Sequence, residues 1–151
     1  MRELPGETMH ASAVLVGERA VLVRGPAGSG KSRLAGALLE AGRSGLIRYA
    51  RLVADDRVRV FAAGGRLLAT PPETIRGMIE MRGLGVRHVE CEPLALVGIV
   101  VDLDAEDAAR MPELRATETE IFGIALPRLP IAPSQPAFPL VIARLSTTAA
   151  A

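Results

Sequence analysis

The chain has no tryptophan and no asparagine, and it has a single cysteine, a single tyrosine and a single lysine among 151 residues. Each scarcity removes possibilities. The lone Cys91 allows neither an intrachain disulfide nor a cysteine-rich zinc site, and it reads as a small packed hydrophobe. Tyr49 and three phenylalanines give no paired aromatics from which to build a base-stacking platform. Charge of one sign is also lacking. The 18 basic and 17 acidic residues leave a net charge of +1, so no broad phosphate-binding surface and no nucleic-acid partner are expected. No apolar run approaches the ~20 residues needed to span a membrane. The opening MRELPGETMHASA carries no apolar core of a secretory signal. A cytoplasmic protein without membrane insertion is therefore expected.

What is present is aliphatic. Residues of the hydrophobic class make up 49% of the chain, enough for the core of one domain of ordinary size. SAVLV (12–16) and AVLVR (20–24) read as neighbouring strands joined at Gly17-Glu18. From Lys31 to Ala41 the spacing predicts a helix with Leu34, Leu38 and Ala41 on one face, widened by Ala35 and Leu39, and stopped at Gly42. Gly36, inside this helix, is expected to pack closely against the sheet.

Residues 46–54 supply a further strand, and RVRVFAAGGRLLAT reads as a hairpin turning at Gly64-Gly65. Glu73 to Met78 begin a short helix, and ALVGIVVDL (95–103) is a strand buried on both faces. Beyond it, ALPRLPIAPSQPAFP places five prolines in 15 residues, which predicts extended or irregular chain. PLVIARL then offers an edge strand. The expected organisation is one domain over 1–151, with a core over about 6–126 and an irregular proline-rich tail over about 127–151.

The stretch with chemistry in it is GPAGSGKS, residues 25–32. It fits G-x-x-x-x-G-K-[ST], with a hydrophobic strand before it and an apolar-faced helix after it, the context in which this motif holds phosphates. Gly25, Gly28 and Gly30 let successive amides turn inward as an anion-binding nest. Pro26, Ala27 and Ser29 complete the loop, and the helix N-terminus adds partial positive charge. Lys31, the only lysine, would reach the β- and γ-phosphates, and the Ser32 hydroxyl would join a Mg²⁺ shell. A parallel strand ending in LVADD would deliver Asp55 and Asp56 to the carboxyl edge of the sheet beside this loop. There one carboxylate can serve the metal and the other an incoming hydroxyl.

Absences narrow the class again. N-K-x-D is impossible without asparagine, D-x-x-G does not occur, and no L-S-G-G-Q run follows. A guanine-nucleotide switch and a transport ATPase are thereby excluded. A small-molecule kinase remains open on residues alone, since arginines at 76, 82 and 87 could serve a lid. So does a module that binds nucleotide without turning it over.

Four pieces in order carry a more specific reading: ETMHASAV (7–14), the glycine-rich loop, LVADDRV (52–58) and IEMRGLGV (79–86). Together they resemble the HPr kinase/phosphorylase family, strongest over Gly6 to Val86 and weaker to about Pro139. The resemblance implies an α/β P-loop core, akin to the nucleotide-binding core of phosphoenolpyruvate carboxykinase. It implies an ATP- and Mg²⁺-dependent serine kinase acting on the phosphocarrier HPr, with inorganic phosphate driving the reverse reaction and pyrophosphate as its product. It also implies a homo-oligomer. On this resemblance His10 lies near the reacting phosphate, Asp55 is the base toward the serine hydroxyl, and Asp56 and Glu80 join Ser32 at the metal. Asp55, Asp56 and Glu80 would thus gather around one ion. Arg82 begins an R-G-L-G run suited to the transferring phosphoryl group.

Two departures from the family pattern are expected to matter. The additional N-terminal domain of longer members is expected to be absent, which resembles the short alphaproteobacterial form consisting of the catalytic domain alone, whose phosphocarrier belongs to a nitrogen-linked system. Near the C-terminus, ARMPEL (109–114) stands where a D-R-L-G-like piece is found, making Arg110 the counterpart of an arginine used in dephosphorylation. The following APSQPAFPLVIARL replaces V-x-x-G-R-N-L-A and leaves no room for terminal helices.

Overall fold

The computed structural model describes residues 6–150; residues 1–5, where the N-terminal stretch read for a signal begins, and Ala151 lie outside the described residues. Two strands, β2 (Ala11–Val16) and β3 (Arg19–Arg24), form the expected hairpin. Gly17 turns it at φ 65°, a left-handed conformation that a Cβ would resist. The centre of the sheet is β9 (Ala95–Asp102), which runs parallel to β3 and is largely buried, as its unbroken apolar run predicts.

Around this pair the sheet continues in the order β1 (Gly6–Met9), β5 (Val58–Ala63), β6 (Arg66–Thr70), β9, β3, β2, β4 (Ala50–Ala54). The hairpin of β5 and β6 turns at Gly64-Gly65, as turn chemistry predicted. Strand β4 pairs antiparallel with β2 rather than lying next to β3. Its direction still matches that of β3, so both deliver their carboxyl ends to one edge. It is also shorter than expected, because residues 45–48 form turns and bends.

The helix α1 (Lys31–Arg43) buries Leu34, Ala35, Leu38 and Ala41, the face that the spacing selected. Leu34, Ala35 and Leu38 pack with Val14, Val21, Val23, Leu52, Ile99 and Val101 on one side of the sheet. On the other side, Val58, Val60 and Leu67 join Ala13, Leu22 and Val53 in a second cluster, so the β5–β6 end curls back over the middle strands. Each such side chain taken out of water contributes about 1.5–3 kcal/mol.

Several expectations about α1 and its surroundings are corrected. Gly42 does not stop the helix, which ends with Ser44 as its cap and Gly45 in the left-handed region at φ 82°. Gly42 serves close packing instead: a Cβ there would lie 2.7 Å from Ala50 Cβ. Gly36, expected to pack closely, has open space where its Cβ would be. Glu73–Ile75 is a single 3-10 turn, and Met78 already begins the strand β7 (Met78–Met81), paired with β8 (Gly85–His88) in a separate two-stranded sheet.

The proline-rich tail is irregular only in part: residues 131–136 and 147–150 lack helix or strand, but regular elements occupy the rest. A hairpin of β10 (Glu118–Ile121) and β11 (Ile124–Pro130) precedes a helix, α2 (Ala137–Ser146). Strand β11 pairs with β10 over one part and with β9 over the other, so a proline's missing N–H can face an unpaired side. PLVIARL is helical rather than an edge strand. Pro136 precedes the helix and Pro139 sits in its first turn, where no intrahelical N–H donor is required. Val141 is buried, with Phe138 and Ile142 packed on the same cluster as α1. A terminal helix thus exists where none was expected. Among the described residues no helix is long and apolar enough to cross a membrane.

Candidate active site

The phosphate loop connects β3 to α1, and its geometry follows from its glycines. Gly25, Gly28 and Gly30 have φ of 159°, 79° and 104°; the last two lie in the left-handed region that residues with a Cβ avoid. A Cβ on Gly25 would approach Ser29 Oγ to 2.5 Å, so the loop closes tightly on itself there. Lys31 is buried, and its ammonium donates to the carbonyls of Gly25 at 2.9 Å and Pro26 at 3.1 Å. The lysine is thus folded across the mouth of the loop it would share with an anion. Ser29 Oγ is buried without a hydrogen-bond partner, an unmet polar atom inside this cradle.

Asp55 and Asp56 arrive at the end of β4, but they face different ways. Asp56 adopts φ 69°, a left-handed conformation that costs an ordinary residue about 1–2 kcal/mol and is best tolerated by Asp, Asn and Gly. That bend resolves the conflict of two consecutive carboxylates at a strand end. Asp55 is buried: its Oδ1 accepts the hydroxyls of Ser12 at 2.8 Å and Ser32 at 2.7 Å, and its Oδ2 accepts the Glu80 amide at 3.1 Å. One carboxylate therefore ties together β2, the start of α1 and β7. Asp56 instead is exposed and faces a cleft of about 690 Å³ that is also lined by the phosphate loop, Lys31, Ser32, Glu80 and Arg82.

Of the residues expected at the site, the loop (Ala27 to Ser32), Asp56, Glu80 and Arg82 share this cleft; Gly25 and Pro26 do not line it but accept hydrogen bonds from Lys31. Asp55 does not line the cleft but lies behind its wall, bonded to Ser32. His10 is exposed at the bend between β1 and β2. It does not line the cleft, although the next residue's amide donates to the Asp56 carbonyl at 3.1 Å, which holds it at the same corner. Arg110 is exposed on the connection between β9 and β10 and lines no part of the cleft.

The expected gathering of three carboxylates is not found: among the described residues no three Asp, Glu, His or Cys side chains group closely enough to hold a metal by themselves. The donor set nonetheless suits Mg²⁺, which is held by one or two carboxylates together with phosphate oxygens and water. Ser32, Asp56 and Glu80 offer a hydroxyl and two carboxylates beside a cradle built for phosphate.

Two groups of functional consequence escape a reading of the sequence. Ser12 is fully buried, donates to Asp55 and accepts the Asp56 amide at 3.2 Å; its only signal was a polar residue within an apolar strand. Beneath the loop, Arg24 grips Asp102 through two bonds of 2.7 and 2.8 Å, and Arg128 bridges Asp102 to Asp107. Burial pushes the Asp102 carboxyl up, but the hydrogen bonds and charges of Arg24 and Arg128 outweigh it and hold the group below its ordinary 3.8. This network fixes the strand ends from which the phosphate loop departs.

Fold and site together define an α/β catalytic domain of the HPr-kinase type. The structure of the Hpr(Ser) kinase/phosphatase from Coxiella burnetii superposes with a TM-score of 0.71 at 25% identity, covering 92% of this chain and 93% of that one. The chain belongs to the HPr Serine kinase C-terminal domain family, whose pattern matches residues 4–137. Among relatives, the HPr kinase/phosphorylase of Geobacillus thermodenitrificans is 32% identical over 138 residues, which span 84% of this chain and 42% of that protein. That of Limosilactobacillus reuteri is 35% identical over 89 residues, 58% of this chain and 26% of the relative. The chain thus spans less than half the length of these curated relatives.

Proposed function

We propose that this domain is an ATP- and Mg²⁺-dependent serine kinase whose protein substrate is the phosphocarrier HPr or its nitrogen-system counterpart. The observation that carries this reading is the single cleft in which a glycine-rich loop, Lys31 and Ser32 meet Asp56, Glu80 and Arg82. Membership of the HPr serine kinase family supplies the substrate class. Mg²⁺·ATP, when bound, supplies the phosphoryl group.

The chain's own residues divide the remaining work. The loop amides and Lys31 hold the phosphates, with Lys31 exchanging the Gly25 and Pro26 carbonyls for anionic oxygens. Ser32 and Glu80 present oxygens to the metal. Asp56, facing the cleft on its left-handed bend, orients the substrate serine and accepts its proton. Asp55 is a positioning residue: it holds Ser32, Ser12 and the β7 backbone in register. Arg82 balances charge that moves between donor and acceptor. His10, at the Asp56 corner, helps shape the approach of the substrate hydroxyl. The same site, with inorganic phosphate as attacker, would remove the phosphate and release pyrophosphate.

The experiment is incubation of the protein with purified phosphocarrier, Mg²⁺ and ATP labelled at the γ-phosphate, followed by addition of inorganic phosphate. Label on a serine of the phosphocarrier, lost as pyrophosphate on the second addition, is the expected result. Label on a small metabolite, or tight ATP binding with no transfer, would overturn the reading in favour of a small-molecule kinase or a non-catalytic binding module.

A further inference from the structure

Arg128 stands in none of the motifs of the sequence and lines no part of the cleft. Its side chain is nonetheless only 13% exposed, and its guanidinium reaches three separate stretches of chain. Nε donates to Asp102 Oδ2, and Nη1 donates to Asp107 Oδ2 at 2.7 Å and to the Ala116 carbonyl at 2.9 Å. Nη2 donates to Asp107 Oδ1 at 3.1 Å. Asp102 ends β9, whereas Asp107 and Ala116 belong to the connection between β9 and β10.

From Asp102 the contacts continue to the phosphate loop without a gap. The carboxylate accepts Nε and Nη2 of Arg24 at 2.7 and 2.8 Å, and Arg24 is the last residue of β3 before Gly25. The Leu103 amide donates to the Arg24 carbonyl at 2.9 Å. A Cβ on Gly25 would lie 3.0 Å from Leu103 Cβ, so the start of the loop rests against the residue after Asp102. Asp102 Oδ2 receives both guanidiniums. Arg128 therefore sets the plane of the carboxylate that Arg24 grips in two places, a geometry that fixes direction as well as adding energy.

The first two loop carbonyls, of Gly25 and Pro26, also accept from Lys31. When the lysine releases them to meet phosphate, the Arg24–Asp102 pair is what keeps the base of the loop in place. We propose that Arg128 is a positioning residue for the phosphate loop, acting on it through Asp102 and Arg24. This inference rests on the phosphate-loop reading above. The clamp matters most once Lys31 has let go, so it governs phosphate affinity and not stability alone. A network that only supported the fold would stabilise the free and the loaded protein equally and leave affinity unchanged. The same guanidinium fastens the connection that carries Arg110 to the base of the loop.

Charge-conserving variants test this. Lysine keeps the positive charge, but as a point donor it cannot span Asp102, Asp107 and Ala116, nor grip Asp102 in two places. R128K, R24K and the double variant are compared with the wild type by calorimetric binding of inorganic tripolyphosphate and of ATP with Mg²⁺. The temperature is one at which circular dichroism shows each protein folded. Each single variant is expected to weaken both ligands equally, by about tenfold. The double variant is expected to stay within about twofold of the weaker single, because both residues act through one carboxylate. Folded R128K with both affinities within about twofold of the wild type would overturn the inference, as would weakening of ATP alone. So would a double variant weakened by the product of the singles, about a hundredfold, which marks two independent contributions. If R128K does not fold, D107N removes only the half-exposed arm of the network and should weaken both ligands about threefold; unchanged affinity there overturns the inference. If the wild type binds neither ligand, the phosphate-loop reading fails and this inference with it. If the wild type binds both and the folded variants match it, only the positioning role fails.

Discussion

Ser32 and Asp55, separated by 23 positions, are joined by a hydrogen bond of 2.7 Å in which the serine hydroxyl donates to the carboxylate. The same oxygen also receives Ser12. The phosphate loop is therefore braced from behind, and the brace reaches β2, none of whose residues lines the cleft. Ser12→Ala should loosen it. The substitution strands the Asp56 amide and removes one of two hydroxyls from a buried carboxylate, at a cost of about 1–3 kcal/mol. Urea denaturation measures this, and a stability equal to that of the wild type would show that the brace carries no load.

Two glycines of α1 should respond in opposite directions to the same substitution. G36A adds a methyl in open space and gains up to about 1 kcal/mol of helix propensity, which raises Tm by about 2–4 °C at this chain length. G42A drives a methyl to 2.7 Å from Ala50 Cβ and 2.9 Å from its backbone nitrogen. That overpacking costs on the order of 1–3 kcal/mol. Thermal melting of the two variants side by side checks both signs at once.

The contrast between these glycines illustrates what the sequence could convey. Periodicity selected the buried face of α1, because 3.6-residue spacing is a property of the helix itself. Composition identified β9, because only a strand covered on both faces tolerates such a run. It could not say which glycine meets a neighbour, since Ala50 arrives from another element. The prolines misled for a related reason. Their effect depends on position, and Pro136 and Pro139 stand where a helix start has no use for an N–H, so an apolar β-branched run became α2. In the site, the motifs brought Lys31, Ser32, Asp56 and Glu80 to one cleft. The facing of Asp55 and Asp56 was not legible, because it depends on a single left-handed residue.

Acid should weaken the fold through Asp102. Its carboxyl lies below the ordinary 3.8 in the folded protein, so the stability it contributes is present above that value. That contribution is lost as pH falls through the lower folded-state value. Asp107 is shifted in the same direction, through its hydrogen bond from Arg128. D102N is expected to destabilise the protein on the order of 2 kcal/mol or more at pH 7 by leaving Arg24 and Arg128 without their shared partner. It should also flatten the decline in stability between pH 5 and pH 2 (roughly the span over which such carboxylates titrate). Denaturation midpoints across that range measure both effects. A variant curve parallel to the wild type would place the acid sensitivity elsewhere.

The division of labour between Asp55 and Asp56 yields the sharpest test. Asparagine tolerates the left-handed conformation at position 56 nearly as well as aspartate, so D56N should fold and melt like the wild type. It should keep ATP affinity within about twofold yet lose about 10²–10⁴ in phosphoryl transfer, the usual worth of a positioned general base. D55N behaves differently for a geometric reason. The wild-type carboxylate accepts from hydroxyls on one oxygen and from the Glu80 amide on the other. A carboxamide must turn its NH₂ toward one of those partners, and at the Glu80 end two donors would collide. D55N should therefore lose about 1–3 kcal/mol of stability and release Ser32, weakening Mg²⁺-dependent binding together with transfer. Should D55N instead melt and bind normally while losing transfer, with D56N transferring at the wild-type rate, the proton acceptor is Asp55 and the cleft-facing carboxylate serves the metal.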